Sequence, residues 1–171
     1  MPTLLLLRHA KSDWHSGAKT DFERPLNERG REAARLMGRF MAEAGYEPDL
    51  VLCSPSQRTR ETLGLVGESI PLPVDRRYAD ALYQDADDDY LKILRAEGGG
   101  SLCCLVIGHN PMIYETALAL AGSGDKEELA RLNAKYPSGT LAAVEFDGSW
   151  SDLSGGGARL ERYVRPADLA S

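Results

Sequence analysis

The feature that most constrains this chain is the recurrence of short, unbroken apolar runs: 4–7 (LLLL), 50–53 (LVLC) and 102–107 (LCCLVI). A strand with one wet face alternates apolar and polar residues, so runs without a polar member read as strands buried on both faces. Such strands need helices above and below. The segments between them carry helical periodicity, and the expected fold class is therefore α/β, a three-layer α/β/α sandwich around a mostly parallel central sheet.

The clearest helix is predicted over 28–44, where Ala33, Leu36, Met37, Phe40, Met41 and Ala44 form a stripe. Asn27 is its expected N-cap and Gly45 its stop. After the second strand, Ser54-Pro55-Ser56-Gln57 reads as an N-cap, a first-turn proline and a capping box, opening a helix towards Ile70. A short strand is expected near Val74. Asp87 to Asp89 read as the acidic, solvated first turn of a helix carrying Tyr90, Leu91 and Leu94. Following the central strand, Asn110 is the expected cap of a helix opened by Pro111 and running to about Ala121. Another helix starts at Asp125 with Glu128 completing a capping box, and two strands, 141–146 and 159–163, close the chain. All 171 residues fit one domain, 1–171.

Charge excludes some partners. With 20 Lys+Arg against 26 Asp+Glu the net charge is −6, which disfavours nucleic acid and anionic membrane as partners. An anion site would have to be a local basic cluster. No run approaches the roughly 18 apolar residues of a membrane span, and 4–7 is too short for a signal-peptide core. Cys53, Cys103 and Cys104 are odd in number and lie in or beside apolar runs, so reduced thiols and a cytoplasmic location are expected.

Three polar clusters follow the buried strands directly: Arg8-His9, Ser54 to Arg58, and His109-Asn110. Ligands of open parallel sheets bind beyond the carboxyl ends of the strands, so these clusters are candidates for one pocket. Two of them also open helices, whose free N–H groups favour an anion. Arg24, held extended by Pro25, is a further candidate guanidinium. Two or three arginines, two histidines and helix N-termini suit a phosphoryl group, because guanidinium forks match phosphate oxygens and stay charged. That much fixed positive charge makes a metal unnecessary, and no cofactor is expected. Either histidine can attack phosphorus when neutral or stabilise its oxygens when protonated.

Taken singly, each residue has a plainer explanation, as a polar strand terminus or a solvated charge. His9 and His15 lack the spacing and partners of a zinc site. Ser54 is explained as a cap and lacks the glycines of a nucleophile elbow. Lys11, Asp13, Trp14 and His15 either rim the pocket or belong to a surface loop.

The segments LRHAKS (7–12), RPLNERG (24–30), SPSQRTRET (54–62) and GHNP (108–111), in this order and spacing, resemble the histidine phosphatase superfamily, with its phosphoglycerate mutase-like fold. Within it they look most like the short bacterial SixA-type phosphohistidine phosphatases. The resemblance implies that His9 is a transiently phosphorylated nucleophile, that Arg8, Arg58 and His109 hold phosphoryl oxygens, and that Arg24 is a further phosphate-binding residue. Ala10 stands where the wider superfamily usually has glycine, as in many short-branch members. For the general acid the nearest match is Asp80, in YADALYQ, with Glu61 as the fallback. An imidazole leaving group depends less on such an acid than an alkoxide does. The implied substrate is a phosphohistidine-bearing protein; small phosphorylated metabolites or sugar phosphates are the alternative, and a silent phosphate-binding module the rival from another class. Oligomeric state is not legible.

Overall fold

The computed structural model describes residues 1–84 and 89–170. Seven strands form one sheet: β1 (Thr3–Arg8), β2 (Leu50–Cys53), β3 (Arg76–Tyr78), β4 (Cys103–Gly108), β5 (Ala121–Gly124), β6 (Leu141–Phe146) and β7 (Ala158–Val164). Their spatial order is β3-β2-β4-β1-β6-β7-β5. Only β6 runs against its neighbours; the other pairings are parallel. The mostly parallel α/β sheet expected from the apolar runs is the one observed.

Alternation along each strand divides the core into two layers. Leu5, Leu7, Val51, Cys53, Leu105 and Ile107 pack with Met37 and Met41 of α1 (Glu28–Glu43) and with Leu63 and Val66 of α2 (Gln57–Val66). Leu4, Leu6, Leu50, Leu52, Cys104 and Val106 face the other way. They meet Leu82 of α3 (Ala81–Gln84), Leu94 of α4 (Leu91–Glu97), Ile113 and Ala117 of α5 (Met112–Leu120), and Leu132 of α6 (Lys126–Ala134). A last short helix, α7 (Pro166–Leu169), adds Leu169 to the first layer. Burying one Leu or Met side chain contributes about 1.5–3 kcal/mol, so the strands are fixed between two apolar layers.

Several helix boundaries differ from expectation, for local reasons. Asn27 caps α1 as predicted, accepting from the Gly30 N–H at 2.8 Å, and Asp125 caps α6 through the amides of Glu127 and Glu128. The expected capping box at Glu128 is not made, because its carboxylate instead accepts from Arg131 and from the Tyr163 amide. Ser54 is no cap either. The helix begins later, with Ser56 at the N-cap, and Gln57 donates to Glu61 rather than back to the cap. Gly67 ends α2 at Val66, short of Ile70. Likewise Pro111, not Asn110, occupies the N-cap of α5, while the Asn110 amide donates to the Tyr136 carbonyl. The strand expected near Val74 forms at Arg76–Tyr78, beyond a fully exposed Val74. Strand β5 was not anticipated; its Ala-Gly-Ser-Gly sequence carries no apolar run. Of the acidic turn at 87–89, Asp87 and Asp88 lie outside the described residues, and Asp89 accepts from the Leu91 amide.

The arrangement matters for the site because β2, β4 and β1 are adjacent and end in step. Arg8 pairs with Gly108, and Cys53 with Ile107. The residues that follow, His9, Ser54 and His109, therefore leave the sheet side by side.

Candidate active site

A cleft of about 640 Å³ opens over these strand ends, and Arg8, His9, Arg24, Arg58 and His109 all line it. Four of the five are nearly inaccessible: His9 is 7% exposed, His109 5%, Arg58 5% and Arg24 8%. Burying so many ionisable groups is costly unless each finds a partner, so the partners reveal the state of the site.

His9 is fixed at both levels. Its amide donates to the Gly108 carbonyl, extending the β1–β4 ladder, and its carbonyl accepts from Gly139. Gly139 also donates to the carbonyl of Arg8, from a backbone φ of +78° that suits glycine. The ring Nδ1 lies 2.7 Å from the Ala10 carbonyl, which can only accept, so the proton is on Nδ1 and Nε2 carries the lone pair. Burial, with the charges of Arg58 and Arg8 and the neighbouring His109, pushes the imidazole down to about 3 despite that hydrogen bond.

His109 stands 5.2 Å from His9, ring centre to ring centre, tilted by 56°. Its Nδ1 is 3.4 Å from Arg58 Nη2, a donor, and its Nε2 is 2.7 Å from Ser54 Oγ. The neutral ring thus accepts at Nδ1 and donates from Nε2 to a fully buried serine. This is the role of Ser54 in place of capping. Burial and then Arg58 bring His109, too, down to about 3. From behind, the Tyr90 hydroxyl accepts from the His109 amide and donates to the Leu82 carbonyl.

Each guanidinium group is held by protein acceptors. Arg8 donates through Nη1 to the Tyr136 carbonyl at 2.9 Å, while its Nε is buried without a partner. Arg58 donates to the Asp21 carbonyl and to Asp21 Oδ2, and its Nε is likewise unpartnered. Arg24 donates to Ser12 Oγ and Asp21 Oδ1, and lies 3.5 Å over the ring of Trp14, which is 74% exposed at the rim.

Asp21 joins these arginines, and sequence reasoning missed it. It opens a single 3-10 turn, Asp21–Glu23, three residues before Arg24. Tyr83 of α3 donates to its Oδ2 at 2.8 Å and sets its ring edge-on to His109. Partial burial would raise the carboxyl, but the Tyr83 and Arg58 hydrogen bonds with the charges of Arg58 and Arg24 take it to about 2. The available signal was the i, i+3 pairing of Asp21 with Arg24 in one helical turn.

The remaining candidates divide. Lys11 and Trp14 line the cleft; Asp13 and His15 do not, Asp13 accepting instead from the His15 amide. Asp80, the nearest match for a general acid, is exposed and is not brought into the cleft, because α3 turns Tyr83 inward in its place. Glu61 is a brace: it accepts from the Leu26 amide and from Gln57, tying the Arg-Pro-Leu segment to α2. Among the described residues no group of three His, Cys, Asp or Glu side chains is arranged to hold a metal ion, and no helix is long and apolar enough to cross a membrane.

Known proteins share this architecture. A family model described as the histidine phosphatase superfamily, branch 1, matches residues 4–82. An uncharacterized protein of Mycobacterium tuberculosis is 35% identical over 162 residues, spanning 94% of this chain and 99% of the relative. The phosphohistidine phosphatase SixA of Escherichia coli is 32% identical over 114 residues, 64% of this chain and 68% of SixA. A solved structure from Agrobacterium tumefaciens, described as a candidate phosphohistidine phosphatase SixA, superposes with a TM-score of 0.79 at 30% identity, covering 96% of this chain and 97% of that one.

Proposed function

The chain belongs to the histidine phosphatase superfamily, and on that premise we propose that it is a phosphatase that removes phosphate from protein phosphohistidine through a phosphate carried on His9. The nucleophile is His9 Nε2, whose lone pair is free because Nδ1–H is engaged by the Ala10 carbonyl. It attacks phosphorus as the bond from phosphorus to the substrate imidazole nitrogen breaks, and that imidazole leaves with a proton taken from water. Water then attacks the phosphorus on His9, the P–Nε2 bond breaks, and orthophosphate departs with neutral His9 restored.

Arg8, Arg24 and Arg58 supply the fixed positive field for the phosphoryl oxygens. The unpartnered Nε groups of Arg8 and Arg58 show donor capacity that the protein itself does not use. Burial, and then the charge of Arg58, hold His109 down; an incoming phosphoryl dianion adds a negative charge beside the ring that favours its protonated form, so His109 takes up a proton on binding. Its Nδ1 then turns from acceptor to donor, exchanging the Arg58 contact for a phosphoryl oxygen.

The observation that carries the substrate class is the state of Asp21. Among the described residues it is the only carboxylate lining the cleft, and at about 2 it stays ionised at working pH, tied to two arginines. A site with no protonated carboxyl group at hand serves a leaving group that is itself readily protonated, as imidazole is, better than an alkoxide.

The test is a turnover comparison in chelator between a phosphohistidine protein and a panel of phosphosugars and phosphoserine peptides. Phosphohistidine is expected to be preferred, with acid-labile label appearing on His9 during turnover. Full hydrolysis by His9→Ala would overturn the mechanism, and equal or better turnover of phosphosugars the substrate class.

A further inference from the structure

A second groove, of about 510 Å³, lies beside the cleft and shares Lys11 and Ser138 with it. Its floor is apolar: the half-buried Ala33 and Leu36 of α1, with Pro137 and Pro166. Its rim is cationic, with Lys11, Arg29, Lys135 and Arg165 against the one carboxylate of Glu32. Arg165 is paired with Asp168, whereas Lys11, Arg29 and Lys135 make no ion pair among the described residues. This excess of cations sits on a chain whose net charge is −6.

We propose that this groove docks an acidic, extended segment of the phosphorylated protein substrate, so that the phosphohistidine enters the cleft while its flanking chain lies along α1. The proposal rests on the protein-phosphohistidine reading above. Charge complementarity selects the sign of the occupant, because three unpaired cations attract an acidic chain locally even where the whole molecule repels anions at long range. Polypeptide is favoured over nucleic acid because no aromatic ring lines the groove to stack a base. The apolar floor offers burial for side chains alternating with the acidic ones along an extended strand. Lys11 and Ser138 line both cavities, so the two lie side by side and a chain bound in the groove reaches the cleft across these two residues.

Arg29 and Lys135 are exposed, lie outside the cleft and make no side-chain hydrogen bond among the described residues, so Arg29→Glu/Lys135→Glu alters the rim without disturbing the fold. Two readouts separate docking from chemistry. The first is kcat and KM for two phosphohistidine peptides, one with Asp/Glu flanks and one with Asn/Gln flanks, with phosphoramidate as the small substrate. The wild-type protein should prefer the acidic peptide through KM; the double variant should raise that KM about tenfold, leave kcat and phosphoramidate turnover unchanged, and abolish the preference. The second is fluorescence anisotropy of the unphosphorylated acidic peptide, whose binding should weaken by a similar factor in the variant and in high salt.

Indifference of the wild-type protein to flanking charge, undiminished peptide binding by the variant, or equal competition from an oligonucleotide of matched charge would overturn the proposal. Charge-dependent peptide binding without turnover of any N–P substrate would instead uphold the groove and overturn the assigned chemistry.

Discussion

The two buried imidazoles make the stability of the protein depend on pH in a range where its carboxylates contribute little. His9 and His109 titrate near 6.5 in an unfolded chain and are pushed to about 3 in the fold, primarily by burial. Between those values the unfolded chain binds protons that the folded chain refuses, so stability rises with pH there. The contribution is complete above about pH 6.5 and is lost as pH falls towards 3. For one such histidine the loss between pH 8 and pH 5 is about 2 kcal/mol, and for the pair about 4 kcal/mol, a large share of an ordinary domain's stability. Asp21 and Asp168, both lowered to about 2, lose their contribution only at lower pH, below the ordinary aspartate value. Urea midpoints measured from pH 5 to 8 should therefore fall steeply on the acid side. His109→Gln should remove about half of that slope, and His9→Gln/His109→Gln nearly all of it. Saturating orthophosphate should flatten the wild-type curve by raising both imidazoles. If the double variant keeps the wild-type slope, the histidines are not the buried neutral bases described here.

Two substitutions behind the site test its support. Ser54→Ala removes the acceptor of His109 Nε2 in a dry setting, and thermal unfolding should register a loss of about 1–3 kcal/mol, with lower turnover and little change in KM. Gly108→Ala would set a Cβ 2.5 Å from the Tyr90 hydroxyl; overpacking of this kind costs about 1–3 kcal/mol, and calorimetry should show a midpoint lower by about 3–10 °C. A midpoint unchanged by Gly108→Ala would show that Tyr90 is free to move.

The sheet and the placing of Arg8, His9, Arg58 and His109 in the cleft were legible because each lies where a simple physical rule acts. Four leucines with no polar member demand two covering layers, and a charged residue at the end of such a run has only the strand terminus to occupy. Asp21 and Tyr83 obeyed no such rule. They meet across 62 positions of sequence, and neither TDFERP nor DALYQ shows any periodicity that would bring them together. Ser54 was legible in position but misread in role, since serine before proline satisfies a capping pattern as well as it satisfies a distant histidine. Asp80 and Tyr83 lie within one turn of each other, and which of them faces inward depends on the direction of α3, set by Leu82 entering the core.

The in-step ending of β1, β4 and β2 divides the site into parts with different freedom to change. His9 and His109 follow directly from strands pinned by ladder bonds between apolar layers, so their separation is inherited from the sheet. Asp21, Trp14, Lys11 and Ser138 stand on connecting segments that no strand constrains. A chimera carrying the 11–23 and 135–138 connections of another member on this sheet should accordingly keep its phosphoryl chemistry while adopting the donor's choice of substrate.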